Sequence, residues 1–259
     1  MSAPASKVTE QAPNHSETID VISKRVSVRK YSDRPVTDET VDAILRAAFR
    51  APTSSNIQAY SVIVVRDRER LQALSVPTGN QVHVAKAPVF MGFCADLTRM
   101  HHALQLRGHS LEDNNLEMGL VSSIDASLVG MSAYLIADSL GLKGVMIGAV
   151  RNDPVRIAEI LGLPKRVYCV FGLCLGWPEE APIQKPRMPY QGIVHHEQYD
   201  AEAALGIIDD YDAALAAHYD SVGKQTTRDS WSNEVDTKFS TQPREGLRAA
   251  LAARGFNFR

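Results

Sequence analysis

Cysteine is scarce in this chain. Three occur among 259 residues, Cys94, Cys169 and Cys174. The odd count and the absence of metal-ligand spacing exclude a disulfide framework and a zinc site. Each lies in an apolar run, so all three read as buried free thiols of a reducing compartment, which points to the cytoplasm. Charge of one sign is lacking too: 28 Lys and Arg stand against 30 Asp and Glu, a net charge of −2. Nothing in that balance supports binding to nucleic acid. There is no apolar h-region near the start, where residues 1–15 are polar and carry Pro4 and Pro13; a secretory signal is excluded and a disordered arm expected. No internal repeat is evident. Walker-type GxxxxGK[ST], GxSxG and strand-linked GxGxxG patterns are missing, which removes the common NTPase, hydrolase and Rossmann readings. The long apolar stretch from Leu116 to Leu140 is broken by Glu117, Asp125 and Asp138. Mid-span charges are costly in a bilayer, so it reads as a buried central helix rather than a membrane span.

What is present is an ordinary globular composition. A chain of this length can bury a sizeable core, and hydrophobic content of 44% with 22% charged residues fits one soluble domain over residues 16–259. Ser16 stands where an N-cap would, before Ile19, Ile22 and Val26 at helical spacing. Thr37 similarly precedes Val41, Ile44, Leu45 and Ala48, a pattern that stops at Ala51-Pro52. Strands are expected at Tyr60 to Val65, Pro88 to Ala95, Val145 to Val150 and Arg166 to Leu175. Leu71 and Leu74 suggest a short helix between the first two, followed by a turn at Thr78-Gly79-Asn80-Gln81. Asn152 or Asp153 caps a helix with Pro154 in its first turn and Gly162 at its end. Beyond Trp177 the chain is proline-rich to Pro189, and helices follow near Ala203 to Tyr219 and Arg244 to Arg254. Small residues along the central helix, Gly119, Ser122, Ser123, Ala126, Ser127, Gly130 and Ala133, would let another helix approach closely.

Two short basic stretches carry the chemistry. Arg25-Val26-Ser27-Val28-Arg29 places two arginines about a hydroxyl, and Lys185-Pro186-Arg187 adds a second pair of cations. Guanidinium groups offer bidentate donors to phosphate oxygens, a lysine a point charge and a serine a neutral donor. Together they could hold a terminal phosphate monoester; the same residues could equally be solvated surface. The polar loop Thr53-Ser54-Ser55-Asn56-Ile57-Gln58, beside a strand, could be a ligand rim or a turn. His101, His102 and His109 lack a carboxylate partner at a recognised spacing, and His195-His196-Glu197 fits a solvated loop better than an acid–base group.

The succession Arg25 to Tyr31, Ala51 to Tyr60, Thr78 to Val84, Gly144 to Asn152, Phe171 to Pro178, Lys185-Pro186-Arg187 and Arg228-Asp229-Ser230-Trp231 resembles the nitroreductase family. It is similar above all to the oxygen-insensitive nitroreductase A and NAD(P)H:flavin oxidoreductase type, from about Ile19 to the C-terminus. The resemblance implies an α+β fold with a central mixed sheet flanked by helices, an intertwined homodimer, and non-covalent FMN at the subunit interface with NAD(P)H as co-substrate. It assigns Arg25, Val26, Ser27 and Arg29 to the phosphate and ribityl group, with Lys185 and Arg187 as a second pair. Ser54 and Ser55 would border the flavin, Gln81 would contact it, and Met146, Ile147, Gly148 and Ala149 would run beside the isoalloxazine ring. Two positions depart from the usual pattern: Val26 where arginine is common and Ala149 where a second glycine is. No side chain is required as a general acid, and none is named as catalytic. The implied reaction is ping-pong hydride transfer to FMN and two-electron reduction of small-molecule acceptors, namely nitroaromatics, quinones or free flavin. Other flavin chemistry on the same fold, dehalogenation or flavin fragmentation, and a non-enzymatic flavin carrier are the alternatives. In NADPH-preferring relatives arginines precede the Arg-Asp-x-Trp block; here Val222 to Thr227 holds only Lys224 ahead of Arg228, so NADH is expected to serve comparably.

Overall fold

The structure, a computed structural model, describes residues 15–111, 116–224, 226, 229–241 and 243–258. The arm expected at residues 1–15 lies outside them, His15 excepted. Four strands form one sheet: β1 (Tyr60–Val65), β2 (Val89–Asp96), β3 (Lys143–Ile147) and β4 (Val167–Gly176), in the order β1-β2-β4-β3. Every adjacent pair is antiparallel. The mixed character expected of the sheet is therefore confined, among the described residues, to one isolated parallel bridge between Ser27 and Gly144.

That bridge also corrects the first helix. Ser16 caps α1 (Glu17–Ser23) by accepting the Ile19 N–H at 3.2 Å. The helix stops at Ser23, so Val26 is not on it, although its spacing suggests so. Residues 25–28 run extended along β3 instead, where Val28 donates to the Gly144 carbonyl at 2.9 Å and buries its side chain. Strand pairing and a buried valine there outweigh one further helical turn.

Thr37 caps α2 (Asp38–Ala48), Asp67 caps α3 (Arg68–Ser75), and a short α4 (Val82–Ala85) follows the turn at Gly79-Asn80. After β2 comes α5 (Thr98–Gln105), then the central α6 (Leu116–Ser139). The third strand ends earlier than expected, at Ile147, and residues 148–152 wind into a 3₁₀ turn. Asp153 then caps α7 (Pro154–Leu161), which Gly162 ends in the left-handed conformation, φ 65°. The single helix expected near 203–219 is two, α8 (Ala201–Gly206) and α9 (Ile208–Ser221); α10 (Trp231–Phe239) and α11 (Leu247–Ala253) complete the chain.

All eight residues of β2 are buried because both faces of the sheet are covered. Met91, Phe93, Ala95, Leu173 and Leu175 share one cluster with α6 and α2, while Phe90, Cys94, Val145, Cys169 and Cys174 share the other with α3 and α7. Helix α6 has the length and hydropathy of a membrane span, yet it runs through the core and buries Asp125 and Asp138. Two of its small residues form notches filled from within the chain. A Cβ at Gly130 would come within 2.3 Å of Phe171 and one at Gly119 within 2.3 Å of Phe258, so rings of the same chain fill those notches. The face of α6 left open is aliphatic: Leu116, Leu120, Ile124 and Leu128 are 39–55% exposed.

Candidate functional site

The extended stretch after α1 and the proline-rich segment after β4 meet in a cleft of about 920 Å³. Arg25, Val26, Ser27 and Arg29 line it from one side, and Gln184, Lys185 and Arg187 from the other. The two basic stretches, 160 positions apart, thus come together as expected. Gln184 binds them: its side-chain amide donates to the Ser23 carbonyl at 2.6 Å and to the Arg25 carbonyl at 3.1 Å. Glu180 anchors the other end by accepting the Arg29 N–H at 2.8 Å.

Helix α9 closes the cleft with His218 and Tyr219, followed by Val222 and Lys224. Lys185 Nζ donates to the Tyr219 hydroxyl at 2.9 Å, and the Lys185 and Lys224 ammoniums lie 4.9 and 4.4 Å from the Tyr219 ring centroid. Five side chains of fixed positive charge therefore face one cleft whose lining, among the described residues, includes no carboxylate. Such an excess of like charge without internal neutralisation suits an anion, and the volume suits a drug-sized or larger ligand. Tyr219 had no signal in the sequence, because its role depends on α9 folding back over the loop at 185. Tyr134, buried on α6, was equally invisible: Arg25 Nη1 donates to its oxygen at 3.2 Å from 109 positions away.

Other expected site residues fall outside this cleft. Ser54 and Ser55 lie in an exposed loop in which Ser55, Asn56 and Gln58 all have positive φ, 47°, 55° and 57°. Three such non-glycine residues within four positions are strained, and strain of this kind persists only where surroundings impose it. Asp125 imposes it: one carboxylate oxygen accepts the Ser54 N–H at 2.9 Å and the other the Ala59 N–H at 3.0 Å. Gln81 is the residue before α4, whose His83 lies near Arg29. Burial, and then the charge of Arg29, hold the His83 imidazole below its ordinary value. Met146 packs on the α6 side of the sheet and Ile147 on the other, while Gly148 and Ala149 open the 3₁₀ turn beside Arg151, whose Nη1 donates to the Val170 carbonyl at 2.5 Å. Arg25, Val26, Ser27, Arg29, Lys185 and Arg187 thus line one cleft, and Ser54, Ser55, Gln81 and 146–149 are not part of its lining.

Comparison with known proteins gives one answer. Residues 22–177 match the nitroreductase family and residues 185–259 its C-terminal domain. The chain is 40% identical over 223 residues to the oxygen-insensitive NADPH nitroreductase of Salmonella typhimurium, covering 85% of this chain and 90% of that protein. It is similar to the solved structure of NfrA2 from B. megaterium, with a TM-score of 0.90 and 36% identity over 95% of this chain and 100% of that one. The NADPH:FMN oxidoreductase of Vibrio harveyi, solved in complex with NAD+, aligns with a TM-score of 0.84 and 33% identity, covering 93% of this chain and 99% of that one.

Proposed function

The chain belongs to the nitroreductase family, and from that premise we propose that it is an FMN-dependent NAD(P)H oxidoreductase that reduces nitroaromatics, quinones or free flavin by two electrons. The observation that carries the reading is the basic, carboxylate-free cleft where residues 25–29 meet 185–187. A phosphate monoester dianion fits its donor set: the guanidinium groups of Arg25, Arg29 and Arg187, the Lys185 ammonium and the Ser27 hydroxyl. The chemistry supplied by bound FMN is acceptance of a hydride from NAD(P)H and transfer of two electrons to an acceptor. The protein's own residues bind and orient. Arg25 to Arg29 and Lys185 to Arg187 hold the phosphate end. The 54–58 loop, Gln81 and the 146–149 segment border the ring. Reductant and acceptor enter one cleft in turn, a ping-pong sequence.

A second copy completes the site. The open aliphatic stripe of α6 from Leu116 to Leu128 is the kind of surface a homodimer covers. Asp125 of the same helix holds the strained 54–59 loop. A shared site accounts for serines that lie apart from the cleft of their own chain. With three buried free thiols and its longest apolar helix inside the core, the enzyme reads as soluble and cytoplasmic.

For the reductant, Lys224 lines the cleft and Arg228 lies outside the described residues. One flexible ammonium offers a 2′-phosphate less than a planar guanidinium fork. NADH is therefore expected to serve comparably to NADPH. Measurement of kcat/KM for both with one quinone checks this, and a preference for NADPH of about a hundredfold, about 2.7 kcal/mol, contradicts it.

The deciding experiment is the absorbance spectrum of the purified protein followed by denaturation. Oxidised-flavin bands, release of FMN rather than FAD, and NAD(P)H oxidation dependent on a quinone are expected. A protein that binds flavin without turnover would be a carrier, and one that binds none would overturn the reading.

A further inference from the structure

We infer that Tyr134, which stands behind the cleft wall, is a positioning residue that aims Arg25 at the flavin phosphate and so sets the preference for FMN over riboflavin. The inference rests on the flavin reading above. Tyr134 is 2% exposed and is not itself part of the cleft lining. Two consecutive lining residues nevertheless converge on its one oxygen atom. Arg25 Nη1 donates to it at 3.2 Å, with the guanidinium carbon 5.4 Å from the ring centroid. The Val26 carbonyl lies 2.9 Å away as an acceptor, and the Gly144 carbonyl of β3 lies at 2.6 Å.

The geometry explains why a buried phenol bears on an anion site. Residues 25–28 are held to the sheet by little backbone pairing: the Ser27 bridge and the Val28 N–H to Gly144. The Tyr134 hydroxyl sits at that seam and gives the stretch a side-chain fastening. A guanidinium carries five donors, and committing one to the phenol fixes the plane of the remaining four. Arg25 thus meets the phosphate already oriented, and ordering that would otherwise weaken binding has been done in the fold. Burial raises the phenol above its ordinary pKa more than Arg25 lowers it, so the group stays neutral and subtracts no charge from the cleft.

The test separates phosphate recognition from general stability. Full-length protein stripped of flavin is titrated with FMN and with riboflavin, as wild type and as Tyr134→Phe, which keeps the ring and removes the oxygen. The ratio of the riboflavin to the FMN dissociation constant is expected to fall about tenfold in Tyr134→Phe, the loss of roughly one charge-assisted hydrogen bond. In an Arg25→Ala background the same substitution is expected to leave the ratio unmoved, because the residue through which Tyr134 acts is gone. Equal weakening of both flavins by Tyr134→Phe overturns the inference, since that is what loss of structure alone produces. Should Tyr134→Phe fail to fold, Arg25→Lys takes its place: a lysine that retains the full FMN preference without a fixed plane overturns the inference, and one that loses it as Arg25→Ala does supports it. A wild type that binds both flavins equally overturns the flavin-phosphate reading and this inference with it, whereas an unchanged ratio in Tyr134→Phe with the preference intact in wild type overturns this inference alone.

Discussion

Arg29 lines a cleft in which no carboxylate competes for its guanidinium. Arg29→Ala removes charge-assisted hydrogen bonds worth roughly 1.5–3 kcal/mol each, so FMN should bind about tenfold to a hundredfold more weakly, as read by fluorescence titration. An unchanged dissociation constant would remove Arg29 from the site. A second residue bears on acid stability. Asp96 is nearly buried; burial pushes its carboxyl upward, but hydrogen bonds from Ser61 Oγ at 2.5 Å, Thr98 Oγ1 at 2.5 Å and Thr98 N at 2.8 Å, with the charge of Arg99, together hold it below the usual range. A carboxylate whose folded pKa is depressed contributes stability that is present above its unfolded value of about 3.9 and is lost as pH falls through the folded value. Asp96→Asn should therefore destabilise the protein at neutral pH and flatten the fall in urea midpoint from about pH 5 downward. Parallel acid limbs for the two proteins would show that other carboxylates dominate.

Helix α6 does three jobs at once, and its glycines show how tightly they are fitted. Phe171 stacks on Phe93 with ring centroids 5.2 Å apart, and Gly130 admits the Phe171 ring edge against the helix backbone. Gly130→Ala would gain a little helix propensity, up to about 1 kcal/mol, but the added methyl meets the ring at 2.3 Å and overpacking costs typically 1–3 kcal/mol. Net destabilisation is expected in thermal melts, and a raised Tm would show that the ring can move aside. On the same helix Asp125 holds the strained 54–59 loop and Tyr134 the 25–28 stretch. One element thus supports both parts of the proposed flavin site.

At the scale of the whole molecule, four large aliphatic side chains of α6 remain open in the single chain. Covered by a second copy they would sit in a buried interface; Leu120→Glu with Ile124→Glu would place two carboxylates there, at a cost of several kcal/mol that dissociation relieves. Sedimentation should then show monomer, and flavin occupancy should fall because the 54–58 loop of the partner would be lost from the site. A variant that stays dimeric and fully flavin-loaded would place the interface elsewhere.

Local signals determined by themselves what neighbours in sequence decide: the caps at Ser16, Thr37 and Asp153, the stop at Gly162, β1 to the residue, and a core helix from Leu116 whose acidic residues argued against a membrane. They also contain the donor types of the cleft, since guanidinium, ammonium and hydroxyl groups lie in two short stretches, although whether those stretches meet is not a local matter. Only the tertiary structure decided how far each element runs and what stands behind it. Val26 left the helix for β3 because pairing with Gly144 and burial of Val28 are long-range terms that periodicity does not contain. The 148–152 segment curled where β3 lost its partner at Gly172, and Tyr134, Tyr219 and Gln184 meet the two basic stretches only because α6, α9 and the proline-rich segment converge there. Contacts between positions a hundred or more residues apart are created by packing, and no local pattern encodes them.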